Sequence, residues 1–229
     1  MPSRTVFVTG ASRGVGLELV RQLLDRGDSV IAAARDIRTP ALAAMTTSGH
    51  LSVVELDVAD PASIAALPGR LGDRGVDVVI NNAGVSSTQK SIEHLDAQDM
   101  QRVFMVNAVA PMLVARAMLP SLKRSGGRTL VQITSQLGSI ANNTGGSTYA
   151  YRGSKAALNQ LNRSLASELG PEGFVCVAIH PGWVRTDMGG PSAHLSAEES
   201  VSSMLKVIDG LTPAKNGAFM NYDGTGLAW

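Results

Sequence analysis

Short β-branched runs alternate with longer helical runs along nearly the whole chain, and that alternation leaves few possible folds. Residues 5–9, 29–34, 51–56, 76–80, 128–133 and 175–180 read as strands, with a last short one near 218–220. Residues 14–25, 38–47, 61–71, 97–123, the stretch after Tyr151 and 197–209 read as helices. Asp60 is placed to cap the helix at 61, with Pro61 at its first position. Pro111 falls inside the longest helical run and is expected to bend or end it. Repeated β-α units require a parallel sheet with helices on both faces. Right-handed crossovers then predict an α/β doubly wound sheet of seven strands ordered 3-2-1-4-5-6-7, in one domain spanning residues 1–229.

Composition narrows the function classes. A net charge of +1 without a basic block gives no electrostatic basis for binding nucleic acid or an anionic membrane. Cys176 is the only cysteine, which excludes an intrachain disulfide and a cysteine-rich metal site; it stands in an apolar run and reads as buried. His50, His94, His180 and His194 show no ligand spacing, so no catalytic metal is expected. No signal peptide fits before the first strand, and no apolar segment was expected to approach the ~18 residues of a membrane span. A cytoplasmic protein is the expectation. Two connections are long, residues 85–96 and 136–148, and long loops at strand carboxyl ends are where such sheets hold ligands.

The first strand runs into Thr9-Gly10-Ala11-Ser12-Arg13-Gly14-Val15-Gly16. Gly10 permits a tight turn, Gly14 lets the backbone approach a phosphate, and Gly16 allows close packing of helix on sheet. A pyrophosphate would then meet a helix N-terminus, whose amides and dipole favour an anion. The spacing Gly-x-x-x-Gly-x-Gly differs from the usual Gly-x-Gly-x-x-Gly. At the end of the second strand, where a carboxylate would bind the ribose 2′-hydroxyl of NAD, stands Ala34, followed by Arg35. Arg35, with Arg13 within reach, suits the 2′-phosphate of NADP(H). Asp36 is a complication, placed to pair with Arg35 on the surface. Asp57-Val58 ends the third strand, where a side chain reaches an adenine edge. Asn81-Asn82-Ala83-Gly84 ends the fourth, where two amides can tie the central strands together and line the groove.

Tyr151 and Lys155 are four apart and share one face of a helix that covers both. Free tyrosine ionises near pH ~10, and a neighbouring ammonium favours the phenolate. Such a pair makes a proton donor and acceptor, or is an accident of spacing. Tyr149 is a competing tyrosine, but Gly153 occupies the position where its lysine would stand.

Thr9-Gly10-x-x-x-Gly14-x-Gly16, Asn81-Asn82-Ala83-Gly84, Asn107, Ser135, Tyr151-x-x-x-Lys155 and Pro181-Gly182 occur in this order. The ordered set resembles the short-chain dehydrogenase/reductase family over essentially the whole chain, and within it the branch of C-factor and sniffer-type carbonyl reductases. The branch resemblance rests on 149–159, 180–190 and the tail 221–224. The resemblance implies a Rossmann-type domain that binds dinucleotide and carries its own catalytic site. It implies a tetrad. Tyr151 is the general acid for carbonyl reduction and base for alcohol oxidation. Lys155 lowers the pKa of Tyr151 and binds the nicotinamide ribose. Ser135 holds the substrate oxygen, with Thr134 and Ser139 as competitors for that role. Asn107 holds a water that links Lys155 to solvent. It further implies cofactor contacts from Gly10, Ser12, Arg13, Gly14, Val15, Gly16, Arg35, Asp57, Val58, Asn82, Ala83, Gly84, Tyr151, Lys155, Pro181, Gly182, Val184 and Thr186. Relatives pair through their long helices, so a homodimer or homotetramer is expected, through 108–118 and 156–169. Only residues 188–195 separate the Pro181-Gly182 turn from the last helix. The substrate cleft is therefore expected to be short-walled, lined by 85–88, Gln136, Leu137, Trp183 and Met188. The expected activity is NADPH-dependent reduction of a ketone or aldehyde. An alcohol or lipid dehydrogenase, and a dinucleotide-binding signalling protein with little turnover, are the alternatives. A related epimerase is disfavoured by the glycine spacing.

Overall fold

A computed structural model of the chain describes residues 3–46 and 49–229. Seven parallel strands form one sheet in the order β3-β2-β1-β4-β5-β6-β7. They are β1 (Thr5–Thr9), β2 (Ser29–Ala34), β3 (Leu51–Glu55), β4 (Val78–Asn81), β5 (Thr129–Ile133), β6 (Val175–His180) and β7 (Phe219–Asn221). The order reverses between β1, which pairs with β2 on one side, and β4 on the other. That reversal opens a crevice at the carboxyl ends of the two central strands.

The strands are nearly continuous apolar runs because both faces are covered. Val6 and Val8 point to one face, where α1 (Gly14–Asp25) and α8 (Ala197–Asp209) supply Leu19, Leu23, Val201 and Met204. Phe7 and Val79 point to the other, under α3 (Pro61–Ala65), α4 (Leu67–Leu71), α6 (Ala110–Arg124) and α7 (Tyr149–Leu169). Full burial of a side chain such as Phe7 contributes about 1.5–3 kcal/mol.

Several boundaries differ from the sequence expectation, each for a local reason. The expected helix 61–71 is two short ones. Asp60 caps the first through Ala62 N at 2.9 Å, but Pro68 has no N–H to continue the ladder, and the chain re-forms as α4. The helix expected over 38–47 is only α2 (Pro40–Met45), begun by proline at N1; Thr47 lies outside the described residues. The long helix is neither ended nor sharply broken by Pro111. It runs as α5 (Ala97–Phe104), a π-helical turn over Met105–Val109, and α6, with Pro111 in the first turn of α6. Contrary to expectation, Ala97–Arg124 is long and apolar enough by composition to cross a membrane. Half of that apolar window is buried in the fold, where Val103, Val114, Met118 and Leu122 are fully covered, so its hydropathy is accounted for by the core.

Candidate active site

The glycine loop is pinned to the end of β4 before it can meet any ligand. Thr9 Oγ1 accepts from the amides of Asn82 and Ala83, both at 3.0 Å. Asn82 Nδ2 donates to Thr9 O at 2.9 Å and to Gly10 O at 3.3 Å. Asn82 is thus a tie between loop and sheet. Asn81 is a second tie, donating to Gln132 Oε1 and Pro111 O at 3.0 and 3.1 Å. The close approach dictates glycine. A Cβ on Gly16 would stand 2.2 Å from Gly10 O and 2.5 Å from Asn82 Nδ2, and Gly10, at φ +67°, would strike Ala83.

The start of α1 fits an anion. Arg13 occupies the N-cap without a side-chain capping bond, and no acidic residue stands in the first turn. The first intrahelical bond runs from Leu17 N to Arg13 O, so the amides of Gly14, Val15 and Gly16 precede it. Thr186 approaches from the far rim; a Cβ on Gly14 would be 3.4 Å from its methyl. Ser12 is half-buried beside these amides. Beyond the ends of β2 and β3 is a cleft of about 410 Å³ whose lining includes Arg35, Glu55, Asp57, Asp60, Ser63 and Arg70. Arg35 is exposed there, and Asp36 accepts from Arg38 N at 2.9 Å rather than pairing with Arg35. Asp57 keeps one carboxylate oxygen on Ala59 N, and neighbouring Val58 is half-buried. Arg13 is turned away from Arg35, paired with Asp187 at 3.1 Å.

At the nicotinamide end α7 already covers the motif, so Tyr151 and Lys155 share a face. Ser135 Oγ caps a 3-10 turn through Leu137 N at 3.1 Å and hydrogen-bonds the Tyr151 side chain. The competing hydroxyls are engaged elsewhere: Thr134 with Asn159 at 2.7 Å, and Ser139 with Asn142 N at 3.1 Å. Tyr149 is exposed on the outer side of the helix. Lys155 is buried and donates to Ile133 O at 2.8 Å, its Nζ 5.9 Å from the Tyr151 ring centroid. Burial lowers its pKa to about 8. The expected lowering of the phenol's pKa is not the balance here: burial raises it, and the Ser135 hydrogen bond offsets only part. The reason is that the ammonium is turned to Ile133, and no positive charge acts on the phenol strongly enough to offset its desolvation. The site therefore holds a protonated phenol.

Asn107 lies on the π turn, fully buried, not on a helix surface. Its amide clamps the backbone of Val85, Nδ2 to Val85 O and Val85 N to Oδ1, both at 2.9 Å, and donates to Ser154 Oγ at 3.0 Å. One lone pair of Oδ1 is left over. Between Asn107 and Lys155 is a gap kept by Gly84, whose Cβ would stand 3.4 Å from Asn107 Oδ1 and 3.7 Å from Lys155 Nζ. Gly182, at φ +82°, packs where a Cβ would lie 2.4 Å from Leu195 and 3.0 Å from Tyr222. Val184 is buried and bridged to Leu195. Pro181 O is held by Ser200 Oγ at 2.5 Å. Ser200 was not anticipated; its signal was a lone serine in the apolar stripe of α8. Asp187 was given no role either. His180 stays neutral, its pKa lowered to about 4 by burial and then by the Lys155 charge. Trp183 and Met188 are exposed, with the indole fixed by Nε1 to Gly189 O at 2.8 Å.

A bare α1 N-terminus, glycine cradles and an Arg35-lined cleft follow the carboxyl ends of β1, β2 and β3, an arrangement that fits a dinucleotide. It leads to a phenol, a hydroxyl and an ammonium. The family model for short chain dehydrogenases matches residues 4–195. The C-signal of Myxococcus xanthus is 53% identical over 154 residues, 67% of this chain and 93% of that protein. Among solved structures, the carbonyl reductase Sniffer of D. melanogaster is 34% identical, with a TM-score of 0.94 over 99% of this chain and 100% of that one. An NADPH-bound carbonyl reductase from chicken fatty liver is 37% identical, with a TM-score of 0.92 over the whole of both chains.

Proposed function

The chain belongs to the short-chain dehydrogenase family, and on that premise we propose that it is an NADPH-dependent reductase of ketones or aldehydes. The observation that carries this reading is the grouping of buried Tyr151, Ser135 beside its phenol and buried Lys155 one helical turn on. When bound, a reduced nicotinamide supplies a hydride to a carbonyl carbon. Tyr151, kept protonated by burial, gives its proton to the developing alkoxide. Ser135 donates a hydrogen bond to the same oxygen, which is stabilisation that grows as charge develops. Lys155 leaves Ile133 O for the ribose side through the gap that Gly84 keeps open, and restores the proton. Asn107 fixes Val85 at the cleft wall and offers its remaining lone pair to a relay water. The Pro181–Gly182 turn, with Val184 and Thr186, floors the nicotinamide end. Trp183 and Met188 give the substrate an apolar, open-sided wall.

Arg35, exposed and in no ion pair among the described residues, supports NADP(H) over NAD(H). Direct titration with NADPH and NADH tests it: Arg35→Asp is expected to abolish a preference for NADPH, and equal binding by the wild type contradicts the assignment. NADPH oxidation over a panel of aliphatic and aromatic aldehydes and ketones then tests turnover. A second reading, a dinucleotide-binding signalling protein with little turnover, is favoured by the similarity to C-signal. Tight NADPH binding with no turnover on the panel selects it. Exposed Val109 and Leu161, on the outer side of the π turn and α7, suit pairing with a second copy, which light scattering on the purified chain tests.

A further inference from the structure

One contact at the groove has no part in the mechanism above. Arg13, on the glycine loop, and Asp187, on the loop after β6, meet across the groove at 3.1 Å, and no other ion pair among the described residues joins these rims. The two partners are held differently. Asp187 sits in a braced turn: Gly190 N donates to Thr186 O at 2.9 Å and Gly189 N to Thr186 Oγ1 at 3.2 Å. That turn is tied to the body by Arg185 N to Leu195 O at 2.8 Å and Leu195 N to Trp183 O at 3.1 Å. Arg13 is an N-cap residue with extended backbone, its side chain 69% exposed, and is free to swing. Arg35 lines the cleft beyond β2 and β3 and is in no ion pair among the described residues, although Glu55, Asp57 and Asp60 share that lining.

We propose that Asp187 determines how strongly the chain prefers NADP(H) over NAD(H), by holding Arg13 away from the 2′-phosphate. The inference rests on the NADP(H) reading and names a residue that opposes it. A phosphate dianion offers a guanidinium two parallel hydrogen bonds and more charge than a carboxylate. Arg13 therefore transfers when NADPH binds, and the Asp187 pair is broken in the process. NADH carries no 2′-phosphate, leaves the pair intact and meets no such opposition. The pair is solvent-exposed on both sides, so its contribution is small. Removing it should tighten NADPH by about two- to fivefold, the range of exposed ion pairs, and leave NADH within error. Asp187 also repels the anions of the groove, NADPH more than NADH; solvent screening keeps that direct effect small at so exposed a carboxylate, and the Arg13→Met background reads it alone.

The experiment is fluorescence titration of the wild type, Asp187→Asn and Asp187→Ala with NADPH and NADH, repeated in an Arg13→Met background. Thermal melts confirm the fold, since Asp187 is at the surface. The expected result is a NADPH-to-NADH affinity ratio raised two- to fivefold by either Asp187 variant, with no change when Arg13 is already Met. An unchanged ratio in both variants overturns the proposal, as does an equal rise in the Arg13→Met background. Equal binding of NADPH and NADH by the wild type overturns the NADP(H) reading beneath it, and the proposal with it.

Discussion

Replacing Lys155 by methionine should abolish catalysis while changing the sign of the chain's stability response to alkali. Lys155 is 3% exposed, and burial lowers its pKa from 10.5 to about 8. Below pH 8 the lysine is charged in both folded and unfolded chains, and folding buries an ammonium. Between about 8 and 10.5 the folded chain has released this proton while the unfolded chain keeps it. The unfolded state then binds more protons, so stability rises with pH across that window. At ~1.4 kcal/mol per unit, the shift amounts to about 3 kcal/mol, most of it recovered between pH 7 and 10. Methionine removes the charge but leaves Ile133 O without its donor, a loss of about 1–3 kcal/mol. The variant should match or exceed the wild type at pH 7 by on the order of 1 kcal/mol and fall below it at pH 10. Cys176, whose thiol burial pushes up to about 12, acts with the opposite sign above pH 9, but it is present in both chains and cancels. Urea unfolding of both proteins at pH 7 and pH 10 is the assay. Two stability–pH curves that run parallel would refute the claim that this lysine is held at strain for function.

Ser135→Ala should lower kcat by about 10²–10³ with little change in KM, because the lost donor acts on charge that develops in the transition state; steady-state kinetics on any accepted carbonyl decides this. Gly16→Ala should weaken both dinucleotides and destabilise the chain by roughly 1–3 kcal/mol, because the new methyl meets Gly10 O and the Asn82 amide; titration and melting of the one variant read both effects. Asn107→Ala should release Val85, which loses both backbone partners, and raise KM and lower kcat together; amide exchange at Val85 reports the release directly.

The sheet was legible because its strands are buried on both faces and read as apolar runs, and helix α8 spans the expected 197–209, where the structure adds a Ser196–Glu199 capping box. Strand order followed from crossover handedness, and the site's location from the reversal between β1 and β4. The π turn at Met105–Val109 was not legible: an inserted residue leaves no mark on periodicity, and the proline beside it suggested a kink instead. The split at Pro68 was missed for the opposite reason, since the apolar pattern of Ile64, Leu67 and Leu71 continues through it while the hydrogen-bond ladder does not. Among site residues, types and order identified Tyr151, Lys155, Ser135 and the glycines. Partners were beyond reach, because they depend on the third dimension. Lys155 on Ile133 O, Asn107 on Val85, Ser200 on Pro181 and Arg13 on Asp187 are long-range pairs with no spacing signature.

In the proposed reaction, hydride reaches a carbonyl carbon in this groove while Tyr151 supplies the proton. Incubation with NADPH deuterated at both C4 positions of the nicotinamide and an aldehyde or ketone, followed by mass spectrometry of the alcohol, is the test. The expected product carries one deuterium on the carbinol carbon, with the rate reduced by about 10²–10⁴ in Tyr151→Phe. Alcohol formed at an undiminished rate by Tyr151→Phe, or carrying no deuterium at that carbon, would contradict it.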